Sequence, residues 1–491
     1  MSRPNVLLVV MDTTRHANTL ADGTFESLPA LARLASEGTV FDGAVTTAPW
    51  TLPAHAAMFS GQYTTDHGTH GGTQYFDPDR APLARRVRDA GYRTAAVSNN
   101  TWVTPEFGFA DGFDDFYTRS EPFPSGDDPA AAREAVRTDP LGALRDAVAD
   151  GTAASTAGNL LYDRFLRDRG DDGARLSNWR IGRWLDAHDG DEPFFLFANY
   201  IEPHLPYTPP AEFLPPGFDS GVAERVAQDP WAFLMGETDI GERGFETLEA
   251  LYEAELRYLD ARLGDLFDRL RADGTFDETA IVVVGDHGEN VGDHGLMDHQ
   301  FSLHDTLLRV PLVVKPPAGT GPTVGSVSAP VETRDVFPTL LELAGADAPT
   351  HPTVSDRSLL ESVCGRADAH REHAVSEYLH PRPSPETLRE RFPDSDVDVD
   401  RYDRSLRCIR TPRWKYVQAT DGREQLYDVA ADPDETANLA DDRPRVRDRL
   451  RRTLRAERGR FDRPAEPADD GTDRHEPPAG TERRLDALGY I

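Results

Sequence analysis

Lysine is almost absent from this chain. Lys315 and Lys415 are its only two, so 53 − 2 = 51 of its basic residues are Arg. Asp and Glu total 85, which gives a net charge of 53 − 85 = −32. This balance indicates adaptation to a salt-accumulating, haloarchaeal type of cell; drift in a GC-rich genome, which also favours Arg and Asp, is the alternative. The charge excludes nonspecific binding to nucleic acid or to anionic membranes, because both need a positive field.

Cysteine and long hydrophobic runs are equally scarce. Cys364 and Cys408 can form one disulfide at most, which excludes a disulfide-stabilised scaffold. No apolar run approaches 18 residues, so the sequence predicts no membrane span. The first apolar run, residues 6–10, is too short for the core of a signal peptide and is followed by Asp12. We therefore expect a cytoplasmic protein.

Short apolar runs alternate with amphipathic stretches. Continuous Val, Leu, Ile and Phe content predicts strands covered on both faces, at residues 5–11, 94–98, 193–200, 280–285 and 310–314. Apolar steps of three and four predict helices, the clearest at residues 248–270, with others at 82–90 and 335–344. This alternation predicts an α/β fold: a large, mainly parallel sheet with helices on both faces, plus a smaller C-terminal α+β subdomain.

Composition divides the 491 residues into three parts. Residues 1–345 hold the strand–helix alternation and are predicted to form the catalytic domain, with an Asp/Ala/Arg-rich helical insertion at 119–190. Residues 346–455 are predicted to be the C-terminal subdomain, with a β-hairpin around Asp421-Gly422. Residues 456–491 form a Pro/Asp-rich tail that ends in a short predicted helix.

Acidic and imidazole side chains follow three of the predicted strands. Asp12 follows the first strand, His204 follows the third, and Asp286-His287 follows the fourth. Ligands of open α/β sheets bind at the carboxyl ends of the strands. A single Asp in such a place is commonly a helix N-cap, but three sets after three strands favour a binding site. Carboxylates and imidazole together suit one divalent cation, Ca²⁺, Mg²⁺, Mn²⁺ or Zn²⁺.

Thr51 lies at the predicted start of a helix. Pro53 suits the first helical turn and Gly61 suits the end. Thr51 is therefore either an N-cap or a hydroxyl presented at a helix N-terminus, where an anion also binds well. A hydroxyl beside a metal ion can lose its proton and act as a nucleophile, as metal-bound water does.

Taken in order, these motifs resemble the sulfatase family of the alkaline phosphatase superfamily. The resemblance covers nearly the whole chain. It is carried by Asn5-Val-Leu-Leu-Val-Val-Met-Asp12-Thr-Thr-Arg15, Pro49-Trp-Thr-Leu-Pro-Ala-His55, Glu202-Pro-His204-Leu-Pro-Tyr207, Gly285-Asp-His-Gly-Glu-Asn-Val-Gly-Asp-His-Gly295 and later stretches at 309–311, 415–416, 426–428 and 432–439.

The resemblance implies roles for individual residues. Asp12, Asp286 and His287 match the metal ligands of the family. Thr51 matches the nucleophile, which also touches the metal, and His204 matches a histidine near the leaving group. Four further residues fall in matching motifs and are candidate substrate-binding residues, with a role in the pocket wall as the alternative: Arg15, His55, His294 and His299.

The nucleophile motif departs from the family. Sulfatases convert a Cys or Ser to formylglycine in the motif C/S-x-P-x-R, whereas this chain reads Thr51-Leu-Pro-Ala-His55. Threonine carries a methyl group on its β-carbon, so oxidation would give a ketone and not the aldehyde. A threonine nucleophile does occur elsewhere in the superfamily, in nucleotide pyrophosphatase/phosphodiesterases and phosphoethanolamine transferases. The resemblance therefore implies direct attack by Thr51.

The leading interpretation is a metal-dependent hydrolase of a small-molecule or glycan sulfate or phosphate ester. A phospho-group transferase on the same fold and a non-catalytic sulfatase-like binding protein are the alternatives. A two-metal phosphodiesterase, in which Glu202 and His204 bind a second ion, is less favoured. The two-metal branch of the superfamily usually spaces its Asp and His ligands further apart in the sequence than Glu202 and His204.

Overall fold

The computed structural model describes residues 3–462 with several gaps. The gaps are residues 22–23, 78–81, 119–170, 189, 191, 224, 321–322 and 366–370. Most of the predicted insertion at 119–190 and most of the predicted tail therefore lie outside the described residues.

The described strands are β1 Asn5–Met11, β2 Thr39–Phe41, β3 Ala44–Val45, β4 Arg93–Ser98, β5 Asp115–Thr118, β6 Phe194–Tyr200, β7 Thr279–Gly285, β8 Asn290–Val291, β9 Met297–Asp298, β10 Leu312–Lys315, β11 Ser326–Val327, β12 Val331–Glu332, β13 Ala374–Tyr378, β14 Leu406–Arg410, β15 Trp414–Ala419 and β16 Glu424–Asp428.

The described α-helices are α1 Pro29–Glu37, α2 Thr51–Ser60, α3 Thr64–His67, α4 Leu83–Asp89, α5 Ala174–Ala187, α6 Ser220–Ala223, α7 Pro230–Leu234, α8 Glu242–Ala272, α9 Asp305–Leu308, α10 Val336–Ala344, α11 Leu360–Val363, α12 Pro385–Arg391 and α13 Pro444–Arg458. None of the described helices combines the length and apolar character needed to cross a membrane.

An eight-stranded sheet forms the centre of the fold, in the order β11-β2-β10-β7-β1-β6-β4-β5. Strands β7, β1, β6, β4 and β5 run parallel to one another. Strand β10 runs antiparallel to both β7 and β2. The predicted α/β class with a mainly parallel sheet is confirmed. The edge strands β5 and β11, and β2 beside β11, were not predicted because runs of two to four residues carry too little pattern to recognise.

The central strand β1 is buried on both faces. Val6, Leu8 and Val10 pack into one hydrophobic cluster, whereas Leu7 and Val9 pack into the other. Alternate side chains of a strand point to opposite faces, so the uninterrupted apolar sequence requires cover on both sides. Helices α2 and α10 contribute to the first cluster, and α1 and α8 contribute to the second.

Helix α8 is longer than the sequence predicts. It spans Glu242–Ala272, whereas the apolar steps predict only residues 248–270. Its first turn is exposed or half-buried and therefore lacks the apolar signal on which the prediction depends.

A second, antiparallel sheet of four strands, β13-β14-β15-β16, follows in the C-terminal part of the chain. The predicted hairpin is present as β15 and β16, which pair from Trp414↔Asp428 to Gln418↔Glu424. Helix α13 packs Leu450 and Leu454 into the cluster formed on this sheet. Cys364 and Cys408 are both free thiols.

Candidate active site

Three neighbouring strands bring the predicted metal ligands to one edge of the large sheet. Met11, the last residue of β1, is paired with Gly285 of β7 on one side and with Tyr200 of β6 on the other. Asp12 and Asp286 directly follow β1 and β7, so their side chains start from adjacent, level positions. The Asp12 N–H donates to the carbonyl of Tyr200 at 3.0 Å, which fixes the end of β1 against β6.

Asp12, Asp286 and His287 form one fully buried group whose donor atoms all lie within 4.8 Å of one another. His287 Nε2 lies 3.4 Å from Asp286 Oδ2 and 3.8 Å from Asp12 Oδ1. Both of those carboxylate oxygens are buried without a hydrogen bond to any described residue. Buried polar atoms are normally satisfied, so two orphaned oxygens that face one imidazole nitrogen fit a bound cation.

The other atoms of this group are already occupied. Asp286 Oδ1 accepts from the backbone N–H groups of Thr13 at 3.2 Å and His287 at 2.8 Å. Thr13 has φ 49°, and this left-handed turn directs its N–H at the carboxylate. His287 Nδ1 lies 2.8 Å from the carbonyl of Gly288 and donates to it, so Nε2 keeps the lone pair that a metal ion needs.

Burial dominates the electrostatics of the two carboxylates. It raises the pKa of Asp286 to about 7. Burial and the charge of Asp286 together raise the pKa of Asp12 well above its usual range. Two adjacent buried carboxylates are unfavourable unless a positive charge compensates them. A divalent cation supplies that charge, and hard oxygen donors with one imidazole suit Mg²⁺, Mn²⁺, Ca²⁺ or Zn²⁺.

Thr51 is the first residue of α2, and its hydroxyl faces the group formed by Asp12, Asp286 and His287. Its Oγ1 lies 3.2 Å from His287 Nε2. The amide of Asn100 donates to Asp12 Oδ2 and lies 3.4 Å from Thr51 Oγ1. The N-cap position of the helix belongs to Trp50, which makes no capping hydrogen bond. The interpretation of Thr51 as a mere N-cap is therefore wrong, because its side chain points to His287.

His55 lies one helical turn after Thr51 and is fully buried. Its Nδ1 donates to the carbonyl of Thr51 at 2.9 Å and lies 3.5 Å from Asp286 Oδ2. The side-chain amide of Asn199 lies 3.4 Å from its Nε2. Burial lowers the pKa of His55 to about 4, so the ring is neutral. The arrangement places His55 behind Thr51, where it holds the start of α2.

Glu289, Asp298 and His299 form a second buried group beside the first. The His299 ring centroid lies 4.4 Å from that of His287, and His299 Nδ1 lies 2.6 Å from Asp298 Oδ1. Glu289 Oε1 is 3.5 Å from the same nitrogen. Burial opposes a charged ring, but Asp298 and Glu289 outweigh it and raise the pKa of His299 well above its usual value. A positively charged imidazole is thus favoured next to the group of Asp12, Asp286 and His287.

His204 faces this cationic ring. The two ring centroids are 5.3 Å apart, and His204 Nδ1 donates to the carbonyl of Leu205 at 2.5 Å. Burial and the charge of His299 lower the pKa of His204 to about 4. In the neutral ring Nδ1 carries the proton, so Nε2 is an acceptor and not a donor.

Two of the predicted substrate-binding residues, Arg15 and His294, do not face Thr51 or the buried group of Asp12, Asp286 and His287. The Arg15 guanidinium donates to the carbonyl of Glu289 and pairs with Asp293, both at 2.5 Å, so it braces the loop after β7. His294 does not join the Asp12 or Glu289 groups. It has φ 56°, is exposed, and stacks at 3.5 Å on His304, with which it forms a separate group near Glu435.

The prediction missed Asn100, Glu289 and Asp298. Asn100 had a usable signal, because the pair Asn99-Asn100 follows β4 at the same edge of the sheet that carries Asp12. Glu289 and Asp298 approach each other through the small β8–β9 ladder, which pairs Asn290 with Asp298. Strands of two residues leave no recognisable pattern in the sequence.

Comparison with known proteins identifies the family of the chain. The family model described as "Sulfatase" matches residues 4–346, and the model "N-sulphoglucosamine sulphohydrolase, C-terminal" matches residues 292–459. The chain is 26% identical over 460 residues to the choline-sulfatase of Rhizobium meliloti, covering 89% of this chain and 83% of that protein. It is 28% identical over 490 residues to arylsulfatase K of Bos taurus, covering 92% and 81%.

The fold resembles that of the phosphonate monoester hydrolase of Agrobacterium radiobacter. The two structures superpose with a TM-score of 0.69 at 21% identity, over 93% of this chain and 95% of that one.

Proposed function

The chain belongs to the sulfatase family and is a hydrolase of sulfuric or phosphoric esters, and from this premise we propose that Thr51 is its nucleophile. The observation that carries the proposal is the 3.2 Å separation between Thr51 Oγ1 and His287 Nε2. His287 belongs with Asp12 and Asp286 to the buried group proposed to hold one divalent cation. That cation would lower the pKa of the neighbouring hydroxyl and neutralise the ester oxygens.

In the proposed reaction Thr51 attacks the ester directly. Its hydroxyl proton leaves to water, and a bond forms from Oγ1 to phosphorus or sulfur while the bond to the leaving oxygen breaks. Water then cleaves the threonyl ester and regenerates the hydroxyl. The helix N-terminus at Thr51 favours the negative charge that develops there. This route avoids formylglycine, which a threonine side chain cannot form.

His204 and His299 are proposed to act on the leaving-group side. Both are buried and face each other beside His287. His299, held by Asp298 and Glu289, is suited to bind an anionic oxygen of the ester. The family resemblance assigns the proton to the leaving oxygen to His204, yet its Nδ1 is committed to the carbonyl of Leu205. His204 Nε2 carries no proton in the neutral ring, so it would first have to receive the proton that it delivers. The neighbouring ring of His299 is the donor.

The nucleophile and the family membership favour different classes of ester. A threonyl phosphate is hydrolysed by a simple displacement, whereas a threonyl sulfate lacks the elimination that formylglycine hydrate provides. We therefore favour a phosphate or phosphonate ester slightly over a sulfate ester. Family membership favours the sulfate. A small-molecule ester fits the choline-sulfatase relative, and a glycan ester fits the matching N-sulphoglucosamine sulphohydrolase model.

One experiment tests nucleophile and ester class together. Hydrolysis of 4-nitrophenyl sulfate, 4-nitrophenyl phosphate, bis(4-nitrophenyl) phosphate and 4-nitrophenyl phenylphosphonate is measured in molar KCl with Mn²⁺, Mg²⁺, Ca²⁺ or Zn²⁺. Thr51→Val removes the hydroxyl and nearly keeps the shape, and Thr51→Ser is the matched control that retains a hydroxyl. We expect turnover in the wild type, partial turnover in Thr51→Ser and none in Thr51→Val.

A covalent intermediate gives a second readout. Acid quenching during turnover, followed by peptide mass analysis, should show one phospho or sulfo group on Thr51. Undiminished hydrolysis by Thr51→Val would refute the proposed nucleophile.

A further inference from the structure

Arg382 is a half-buried cation that has no partner in the described part of the chain. It follows β13 in the C-terminal subdomain, and its guanidinium makes no hydrogen bond and no ion pair with any described residue; its Nε is fully buried and unsatisfied. Guanidinium groups carry five donors and rarely lack acceptors when they are buried.

Other buried arginines of this region are all compensated. Arg407 pairs with Glu377 at 2.8 Å, and Arg410 pairs with Asp305 at 2.8 Å. Arg371 pairs with Asp335 at 2.5 Å. Burial lowers the pKa of Arg382 to about 10, with no carboxylate to oppose it. The chain therefore supplies acceptors to its structural arginines and leaves Arg382 without one.

Two chains of contacts join Arg382 to the proposed ester site. Its guanidinium lies over the ring of Trp102, 5.0 Å from the centroid. The backbone N–H of Trp102 donates to Asn100 Oδ1 at 2.7 Å, and the amide nitrogen of the same Asn100 lies 3.4 Å from Thr51 Oγ1.

The second chain of contacts begins at the Arg382 backbone. Its N–H donates to the hydroxyl of Tyr378 at 3.2 Å, and that hydroxyl donates to the side chain of Gln300 at 3.1 Å. Gln300 is next in sequence to His299. Arg382 is thus linked to Thr51 through Trp102 and Asn100, and to His299 through Tyr378 and Gln300, with two residues between on each path.

We infer that Arg382 forms a subsite for a second anionic group of the substrate, a carboxylate or a further sulfate or phosphate. Trp102 contacts one face of the guanidinium by a cation–π contact, which does not occupy the in-plane N–H groups of the two terminal nitrogens. Those groups bind a carboxylate or phosphate in the two-pronged manner that lysine does not provide. The inference rests on the proposed function, because the second anion is defined relative to the ester held at Thr51.

A series of non-hydrolysable ligands tests the subsite. Phosphonoacetate, 3-phosphonopropionate, 4-phosphonobutyrate and 5-phosphonovalerate carry a phosphonate for the ester site and a carboxylate at increasing distance. The alkylphosphonates of equal chain length, which end in methyl, are the matched ligand controls. Dissociation constants are measured by calorimetry at one KCl and one Mn²⁺ concentration, for the wild type, Arg382→Met and Arg382→Lys. Arg389→Met removes an exposed arginine that pairs with Asp400 and serves as the control variant.

We expect one phosphonocarboxylate to bind the wild type at least tenfold tighter than its alkylphosphonate partner. Arg382→Met should abolish that difference, Arg382→Lys should keep a minor part of it, and Arg389→Met should keep all of it. Inorganic phosphate should bind all four proteins alike. If Arg382→Met does not fold, the comparison of Arg382→Lys with the wild type decides, since lysine keeps the charge and loses the two-pronged geometry.

Two results would overturn the inference. One is the absence of any carboxylate preference in the wild type across the series. The other is an equal loss of phosphate and phosphonocarboxylate affinity in Arg382→Met, which would place Arg382 at the ester site itself. Neither depends on turnover, so failure of the subsite is distinguishable from failure of Thr51 as nucleophile.

Discussion

Replacing Asp12 by Asn should stabilise the metal-free protein and abolish its response to metal. Asp12 and Asp286 are fully buried neighbours, and each has an oxygen without a hydrogen bond in the described structure. For Asp286, burial raises the pKa from 3.8 to about 7, which corresponds to about 4 kcal/mol of destabilisation when the group is charged. Burial and the charge of Asp286 also raise the pKa of Asp12, so Asp12→Asn should stabilise the metal-free protein by about 1 to 4 kcal/mol at pH 8.

Metal ions should act on the two proteins differently. A cation that binds only the folded state at a hundred times its Kd adds about 2.7 kcal/mol to the free energy of unfolding. The wild type should gain this amount with Mn²⁺, whereas Asp12→Asn, which has lost one ligand charge, should gain little. The assay is guanidinium chloride unfolding in KCl, followed by tryptophan fluorescence, after EDTA dialysis and again with added Mn²⁺.

Asp260→Asn is the matched control for a buried carboxylate without a metal role. Asp260 is 4% exposed and accepts from the backbone N–H groups of Ala30 and Leu31 at the start of α1. Burial raises the pKa of Asp260 to about 6, so this variant also removes an unfavourable buried charge, but it should keep the full response to Mn²⁺. A wild type whose unfolding midpoint ignores every divalent cation, together with an Asp12→Asn variant that is less stable without metal, would refute the reasoning.

Three further predictions concern stability and the leaving group. Glu332→Gln should cost about 3 to 5 kcal/mol of unfolding free energy, because the carboxylate is fully buried between Arg334 and Arg371. Burial opposes its charge, but Arg371 and Arg334 outweigh this and lower the pKa of Glu332 to about 2. The stabilisation by the charged carboxylate is therefore present above pH 4.5 and lost as the pH falls toward 2. Over this interval the denaturation midpoint of the wild type should fall further than that of Glu332→Gln. Equal falls of the two midpoints would contradict the prediction. The charge of −32 predicts a melting temperature that rises with KCl up to molar concentration; a flat melting curve series would count against the salt-adapted interpretation. His204→Asn and His299→Asn should both slow esters of poor leaving groups more than 4-nitrophenyl esters, and an equal loss on all esters would assign these residues to binding only.

The strand ends could be predicted from the sequence because they depend on local patterns. The apolar run of β1 stops at Asp12 and that of β7 stops at Asp286, and parallel neighbours bring such ends together at one edge. Helix α2 could be predicted for the same reason, since Pro53 and Gly61 mark its ends, and Gly61 indeed has φ 71°. What the pattern did not contain was the direction of each side chain.

The remaining parts of the site depend on contacts that are distant in sequence. Arg15 belongs to a matching motif, but Asp293 lies 278 residues away and takes its guanidinium. His294 stands in a left-handed turn after Gly292, with φ 88° at that glycine, and this turn directs the ring toward His304. His299, five residues later, reaches the site through the β8–β9 ladder. Two histidines five residues apart thus separate because a single turn intervenes, which the spacing alone does not reveal.

Thr51 and His55 depart from the formylglycine motif together, and the geometry gives a reason why they belong together. His55 is buried, neutral, and bonded to the carbonyl of Thr51, with Asp286 Oδ2 only 3.5 Å away. An arginine at this position would place a permanent charge beside Asp286 and compete with a cation for the same carboxylate. A neutral imidazole leaves the charges of Asp12 and Asp286 to the cation. In the proposed reaction, both carboxylates would then hold the cation at full charge, and the cation would lower the pKa of the Thr51 hydroxyl.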